Sequence, residues 1–125
     1  MRSSPSRSPH LVAALLVASL ETACGTTKSG LRAYARHDYD AAVSNWRPLA
    51  ADGDTEAQFY LGTMYEEGRG VDRDEIEAYE WYLRAASRGH VDAQTNLGIM
   101  YFSGTGVVQS YDKAYEWFSS AARAG

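Results

Sequence analysis

From Ala57 to Glu67 the residues Ala57, Leu61, Met64 and Tyr65 fall at i, i+4, i+7 and i+8, one face of a helix. Gly68-Arg69-Gly70 then breaks the pattern. Glycine supplies left-handed backbone at a helix end without a Cβ penalty, so the loop reverses the chain there. A second apolar stripe, Ala78, Trp81, Tyr82, Ala85 and Ala86, predicts a helix from about Glu75 to Arg88. In that reading the tryptophan fills the space between layers, paired alanines let helices approach, and Val71 tucks back against the helix pair. Both stripes return 36 residues later, and 16 of the 33 positions in 57–89 are identical to those in 93–125. Unrelated sequences would share roughly two at ordinary residue usage. A fixed period of this length marks a stacked repeat protein, a framework that presents surfaces rather than chemistry.

Polar residues at helix starts carry the same period. Asp38, Asp74 and Ser110 are spaced by 36 and predict N-caps, while Asp54 and His90 form a second such pair. Glu77, three residues beyond Asp74, predicts a reciprocal capping box. Gly89 and Gly125 end their helices. The stretch 31–53 is a divergent first unit: Ala42, Ala50 and Gly53 align with Ala78, Ala86 and Gly89, but its turn, Arg36-His37-Asp38, has no Gly-x-Gly. Pro48 removes an N–H and predicts a bend in that unit's second helix. The units are thus 31–53, 54–89 and 90–125.

Residues 1–24 read as an export signal. Arg2 and Arg7 precede Leu11 to Leu20, apolar except for Ser19, and small residues follow around Ala23, Cys24 and Gly25. Ten apolar residues are too few to span a bilayer, which needs about 20. Leu20-Glu21-Thr22-Ala23-Cys24 resembles a bacterial lipobox, with Cys24 as the lipidation candidate and 25–30 as a tether. Glu21 departs from that pattern, and ordinary cleavage nearby is the alternative. These features place the chain in the periplasm or envelope, touching membrane only through the signal or a lipid on Cys24.

Cys24 is the only cysteine, so no intrachain disulfide can form. The net charge of -4 and the lack of a basic run give no electrostatic footprint for nucleic acid. His10, His37 and His90 have no cysteine or acidic neighbours at metal-ligand spacing, and no serine has a nucleophile setting. Gly68-Arg69-Gly70 lacks the preceding strand and full fingerprint of a phosphate loop. Tyr65, Trp81, Tyr101 and Trp117 sit at helical spacing and at equivalent positions, so they read as core rather than a ligand cage. Asp72, Asp74, Glu75 and Glu77 read as caps and solvated charges. No catalytic residue, metal or cofactor is expected.

What remains is surface that differs between repeats. Phe59, Thr63 and Glu66 in one unit, and Thr95, Ile99 and Phe102 in the next, face away from the packed stripe of the first helices. Phe59, Ile99 and Phe102 are apolar where a merely solvated face would be polar, so the six form a candidate binding surface for a protein or peptide. The alternative is that they pack against neighbouring helices. The final repeat carries no extra polar capping helix, which predicts that Tyr115, Phe118 and Ala122 are partly bare and that the chain self-associates or is cut from a longer repeat protein.

Ala-x-x-x-Leu-Gly-x-x-Tyr-x-x-Gly-x-Gly-Val followed by Ala-x-x-Trp-x-x-x-Ala-Ala-x-x-Gly, present from Ala57 to Gly89 and again from Ala93 to Gly125, resembles the Sel-one-like repeat. This is a relative of the tetratricopeptide repeat with a longer loop, and the unit 31–53 resembles the plain tetratricopeptide form. The run Asp38 to Val43 with Trp46-Arg47-Pro48-Leu49 is similar to exported bacterial members. The resemblance implies an all-α fold, a right-handed α-solenoid of antiparallel helix pairs with about six helices. It also implies a role in assembling or regulating other proteins. A cysteine-rich branch linked to β-lactam binding and hydrolysis staples each repeat with a disulfide. Those cysteines are absent here, so that activity does not carry over.

Overall fold

The computed structural model describes residues 27–125. Six helices run in order: α1 over 27–35, α2 Tyr39–Ala51, α3 Thr55–Glu67, α4 Glu75–Ser87, α5 Val91–Ser103 and α6 Tyr111–Ala124. Each helix from α2 onward packs on the next, and no strand occurs among the described residues. The result is an α-solenoid of three hairpins, α1–α2, α3–α4 and α5–α6. The signal and Cys24 lie outside the described residues. The helix α1 takes in residues 27–30, part of the stretch read as a tether. It does so because Gly30 lies against the Trp46 ring, whose Nε1 donates to the Thr27 carbonyl at 3.3 Å.

The caps form as the spacing requires. Asp38, Asp54, Asp74 and Ser110 each accept a bond from an N–H of the first helical turn. His90 does the same through Nδ1, which accepts from the Ala93 N–H at 3.2 Å. Nε2 must then carry the hydrogen, and it donates to Glu56 Oε1 at 3.1 Å. The reciprocal half of the expected capping box is absent. The Asp74 N–H donates instead to the Tyr65 carbonyl at 2.9 Å, and Ser110 N–H to the Tyr101 carbonyl at 2.9 Å. The loop thus spends that donor on closing itself, and Glu77 stays exposed.

The first hairpin turns without glycine. His37 takes φ 64°, with Asp38 N–H bonded to the Ala33 carbonyl and His37 N–H to that of Tyr34. This is a Schellman closure with a histidine in the left-handed seat usually held by glycine. Pro48 leaves α2 continuous to Ala51. In the longer loops, Val71 and Val107 pack inward as expected.

Two buried clusters make the core, one around Trp46, Leu61 and Met64 and one around Tyr82, Leu97 and Met100. Trp81 and Trp117 are only half-buried, and Arg84 lies over the Trp81 ring at 4.5 Å. The ring that fills the layer is instead one position on. Trp46, Tyr82 and Phe118, spaced by 36, each press on a glycine of the preceding helix: Gly30, Gly62 and Gly98. A Cβ on Gly62 would come to 2.6 Å from the Tyr82 ring, so only a bare Cα admits an aromatic that close.

Candidate functional site

α1, α3 and α5 are the first helices of the hairpins, and α3 and α5 carry the six candidate residues that differ between repeats. Between α1, α2 and α3 they leave a cavity of about 210 Å³. Leu31 and Tyr34 come from α1, Trp46 from α2, and Phe59, Tyr60, Thr63 and Met64 from α3. Trp46 and Tyr60 stack with centroids 4.7 Å apart and rings at 26°. Phe59 stacks on His90 at 4.7 Å and reaches Tyr82 at 5.8 Å, so it braces α3 against the third unit.

The hydroxyls of this wall already have partners. Tyr34 Oη accepts from Arg69 Nη1 at 2.8 Å, and Thr63 Oγ1 donates to the Phe59 carbonyl at 3.2 Å. Burial pushes the Tyr60 phenol above its ordinary pKa, and the neighbouring Glu56 carboxylate adds to the shift. What the cavity offers a ligand is therefore apolar contact, the environment an aliphatic or aromatic side chain seeks.

One repeat further on, the same place is polar. Tyr82 Oη donates to Glu66 Oε2 at 2.6 Å and lies 3.3 Å from Thr63 Oγ1, filling the space with a hydrogen-bonded group. Burial and then the Glu66 carboxylate push the Tyr82 phenol well above its ordinary range. Tyr79, also desolvated and bonded to the Tyr101 hydroxyl at 2.7 Å, is pushed up to about 12. Folding favours the neutral phenols, so stability is unaffected below the unfolded value of 10 and falls as pH climbs above it. In an absorbance titration at alkaline pH, Tyr82 will ionise only in step with the loss of helical circular dichroism.

The six candidate residues are thus divided. Phe59 and Thr63 line the cavity, and Glu66 is held by Tyr82 at the following junction. Thr95 is half-buried with its hydroxyl on the Val91 carbonyl. Ile99 and Phe102 stand in solvent, 52% and 57% exposed. Phe59→Ser should therefore cost about 2–3 kcal/mol in thermal or denaturant unfolding, and Phe102→Ser under about 1 kcal/mol. Leu31, Tyr34, Trp46 and Tyr60 were not singled out by the repeat comparison. The 36-residue phase linking Trp46 to Tyr82 and Phe118 was the signal that could have found Trp46. Among the described residues no group of three His, Cys, Asp or Glu side chains could hold a metal, and no helix is long and apolar enough to cross a membrane.

Against known families, residues 55–90 and 91–125 each match the Sel1 repeat model. The chain belongs to the Sel1 repeat family. Among solved Sel1 structures, a protective antigen present in uropathogenic Escherichia coli strains, displaying an SLR fold, is 36% identical with a TM-score of 0.81. The match covers 86% of this chain and 24% of the antigen. A Sel1 repeat protein from Oxalobacter formigenes is 33% identical over 78% of this chain and 40% of its own, with a TM-score of 0.74. Helicobacter pylori cysteine rich protein B is 26% identical over 67% of this chain and 63% of its own, TM-score 0.65. An exopolysaccharide production negative regulator from Rhizobium leguminosarum bv. viciae is 36% identical over 61 residues, 49% of this chain and 23% of the regulator. The chain spans about a quarter of the length of that regulator and of the Escherichia coli antigen. Sel1 repeat proteins are typically non-catalytic scaffolds that bind other proteins. The two matched Sel1 repeats begin at α3, so α1 and α2 form the unit ahead of them, and the cavity lies at that junction.

Proposed function

We propose that the chain is a non-catalytic adaptor of the bacterial cell envelope that grips a protein partner along its first helices, with an apolar side chain of the partner seated between α1, α2 and α3. The observation that carries this reading is the apolar cavity walled by Tyr34, Trp46, Phe59 and Tyr60. There the Tyr82–Glu66 hydrogen bond has no counterpart, because the residue in phase with Tyr82 is Trp46. The export signal and Cys24 supply the compartment in this proposal, and the regulatory name of the Rhizobium relative is consistent with it.

A photoreactive amino acid placed at Thr63, with a second variant carrying it at exposed Glu80 on α4, tests the reading in intact cell envelopes. The Thr63 variant should yield a crosslinked protein that mass spectrometry identifies and that the Glu80 variant does not capture. Peptides from the same sample report whether Cys24 is acylated. Equal capture from both positions, or none from Thr63 in a folded chain, would refute the adaptor.

A further inference from the structure

The Phe59 ring belongs to the wall of the apolar cavity, and the same ring stacks on His90 with centroids 4.7 Å apart. His90 in turn lines a second, polar concavity of about 370 Å³, opened between the start of α3 and the turn from α4 to α5. Thr55 and Glu56 form one wall of this cleft, and Arg88, His90 and Asp92 the other. One stacked pair of rings is therefore the partition between an apolar hollow and a polar cleft. Thr63, on the wall of the first, and Glu56, on the wall of the second, are seven residues apart on α3. That separation is about 10 Å along the helix axis, which an extended chain covers in about three residues.

The charge beside the cavity is lopsided. Glu56 and Asp92 occupy the same place in successive repeats, 36 residues apart, and both are exposed. Each stands in the first turn of its helix, where the helix dipole favours an acid. Glu56 accepts from His90 Nε2 at 3.1 Å, but from an uncharged ring, since Nδ1 is the acceptor that caps α5. That bond leaves the Glu56 charge in place, with its side chain 55% open to solvent. Asp92 has no ion-pair partner among the described residues. The Arg88 guanidinium, also on the cleft wall, donates to the Gly53 carbonyl. Burial is the main reason the Tyr60 phenol is pushed up, but Glu56, Asp92 and Asp54 each add to the shift, so three carboxylates are felt at the cavity wall. Among the described residues, neither lysine nor arginine lines the cavity itself.

We infer, on the footing of the adaptor reading, that the segment seated in the cavity is a basic one: it carries a lysine or arginine about three residues from its apolar anchor, and that cation lies in the cleft between Glu56 and Asp92. Two exposed ion pairs add modestly to affinity, but they fix which way the segment lies along α3. The photoreactive residue at Thr63, in the full chain and in cell envelopes, is the probe. Glu56→Gln with Asp92→Asn removes both charges and keeps an acceptor for His90 Nε2. The yield of the Thr63 crosslink should fall about fivefold. Asp72→Asn with Glu77→Gln removes the same charge from exposed positions away from the first helices. That pair should change the yield by less than about twofold. Melting followed by circular dichroism shows that each variant folds. In the crosslinked peptide, mass spectrometry should find lysine or arginine about three residues from the attachment point. An undiminished yield without Glu56 and Asp92, an equal loss in the Asp72 and Glu77 variant, or a captured segment with no basic residue there overturns the basic partner and leaves the adaptor standing. Absence of any Thr63 crosslink from a folded chain removes both.

Discussion

Trp46→Ala is expected to cost about 3–5 kcal/mol, the range for deleting a buried tryptophan from a packed core. Trp46 is 1% exposed and is the largest of the fully buried side chains. Its ring lies on Gly30 of α1, stacks on Tyr60 of α3 and approaches Tyr34 at 6.3 Å, so one side chain ties three helices together. Collapse cannot fill the void cheaply, because Gly30 has no side chain to move into it. The loss will not be uniform along the chain. The second cluster, around Tyr82 and Leu97, contains no atom of Trp46, so amides of α5 should keep their protection in hydrogen exchange while those of α1 and α2 exchange freely. Uniform loss of protection through α6 would show that the three hairpins melt as one unit.

Gly106→Ala is the second large effect. Gly106 has φ 71°, and a Cβ there would collide with the main-chain carbonyl of Glu75 and lie 3.0 Å from the Met100 methyl. A flexible side chain could swing aside, but a carbonyl inside the first turn of α4 cannot. The substitution therefore adds a backbone shift to left-handed strain, and about 3 kcal/mol or more is expected. Gly89→Ala is the control. Its φ is 95°, yet nothing lies within 4 Å of the added Cβ, so strain alone, about 1 kcal/mol, is expected. Denaturant midpoints of the two variants check the difference; equal midpoints would mean that the Gly106 contact is not tight.

The period of 36 made the helices, their caps and the family legible, because hydrophobic spacing and N-cap chemistry are local properties of the chain. The capping box failed for a reason no local pattern carries: the Asp74 N–H has a better partner in Tyr65, brought there by the loop. From the apolar stripe of the second helix Trp81 reads as the layer-filling ring. The position that performs that task holds three different residues, Trp46, Tyr82 and Phe118, and identity scoring passes over it. Only two of the seven residues lining the proposed site are legible as candidates in the sequence. Phe59 and Thr63 were marked by their variation, whereas Leu31, Tyr34 and Trp46 come from the divergent unit, whose first helix has no Gly-x-Gly to set its register. Tyr34 and Tyr39 are drawn together by Arg69, a residue of the next unit's loop with its guanidinium over both rings at 5.7 and 5.1 Å.

The loop glycines separate architecture from recognition. Gly70 meets the backbone of a tyrosine and Gly106 the backbone of a glutamate, so the joint between hairpins is blind to which side chain the underlying residue carries. Mutation can rewrite the outward side chains of such a module, or a duplication can splice in another, without disturbing how the units dock. Evolutionary drift on these surfaces is thereby decoupled from the geometry that displays them.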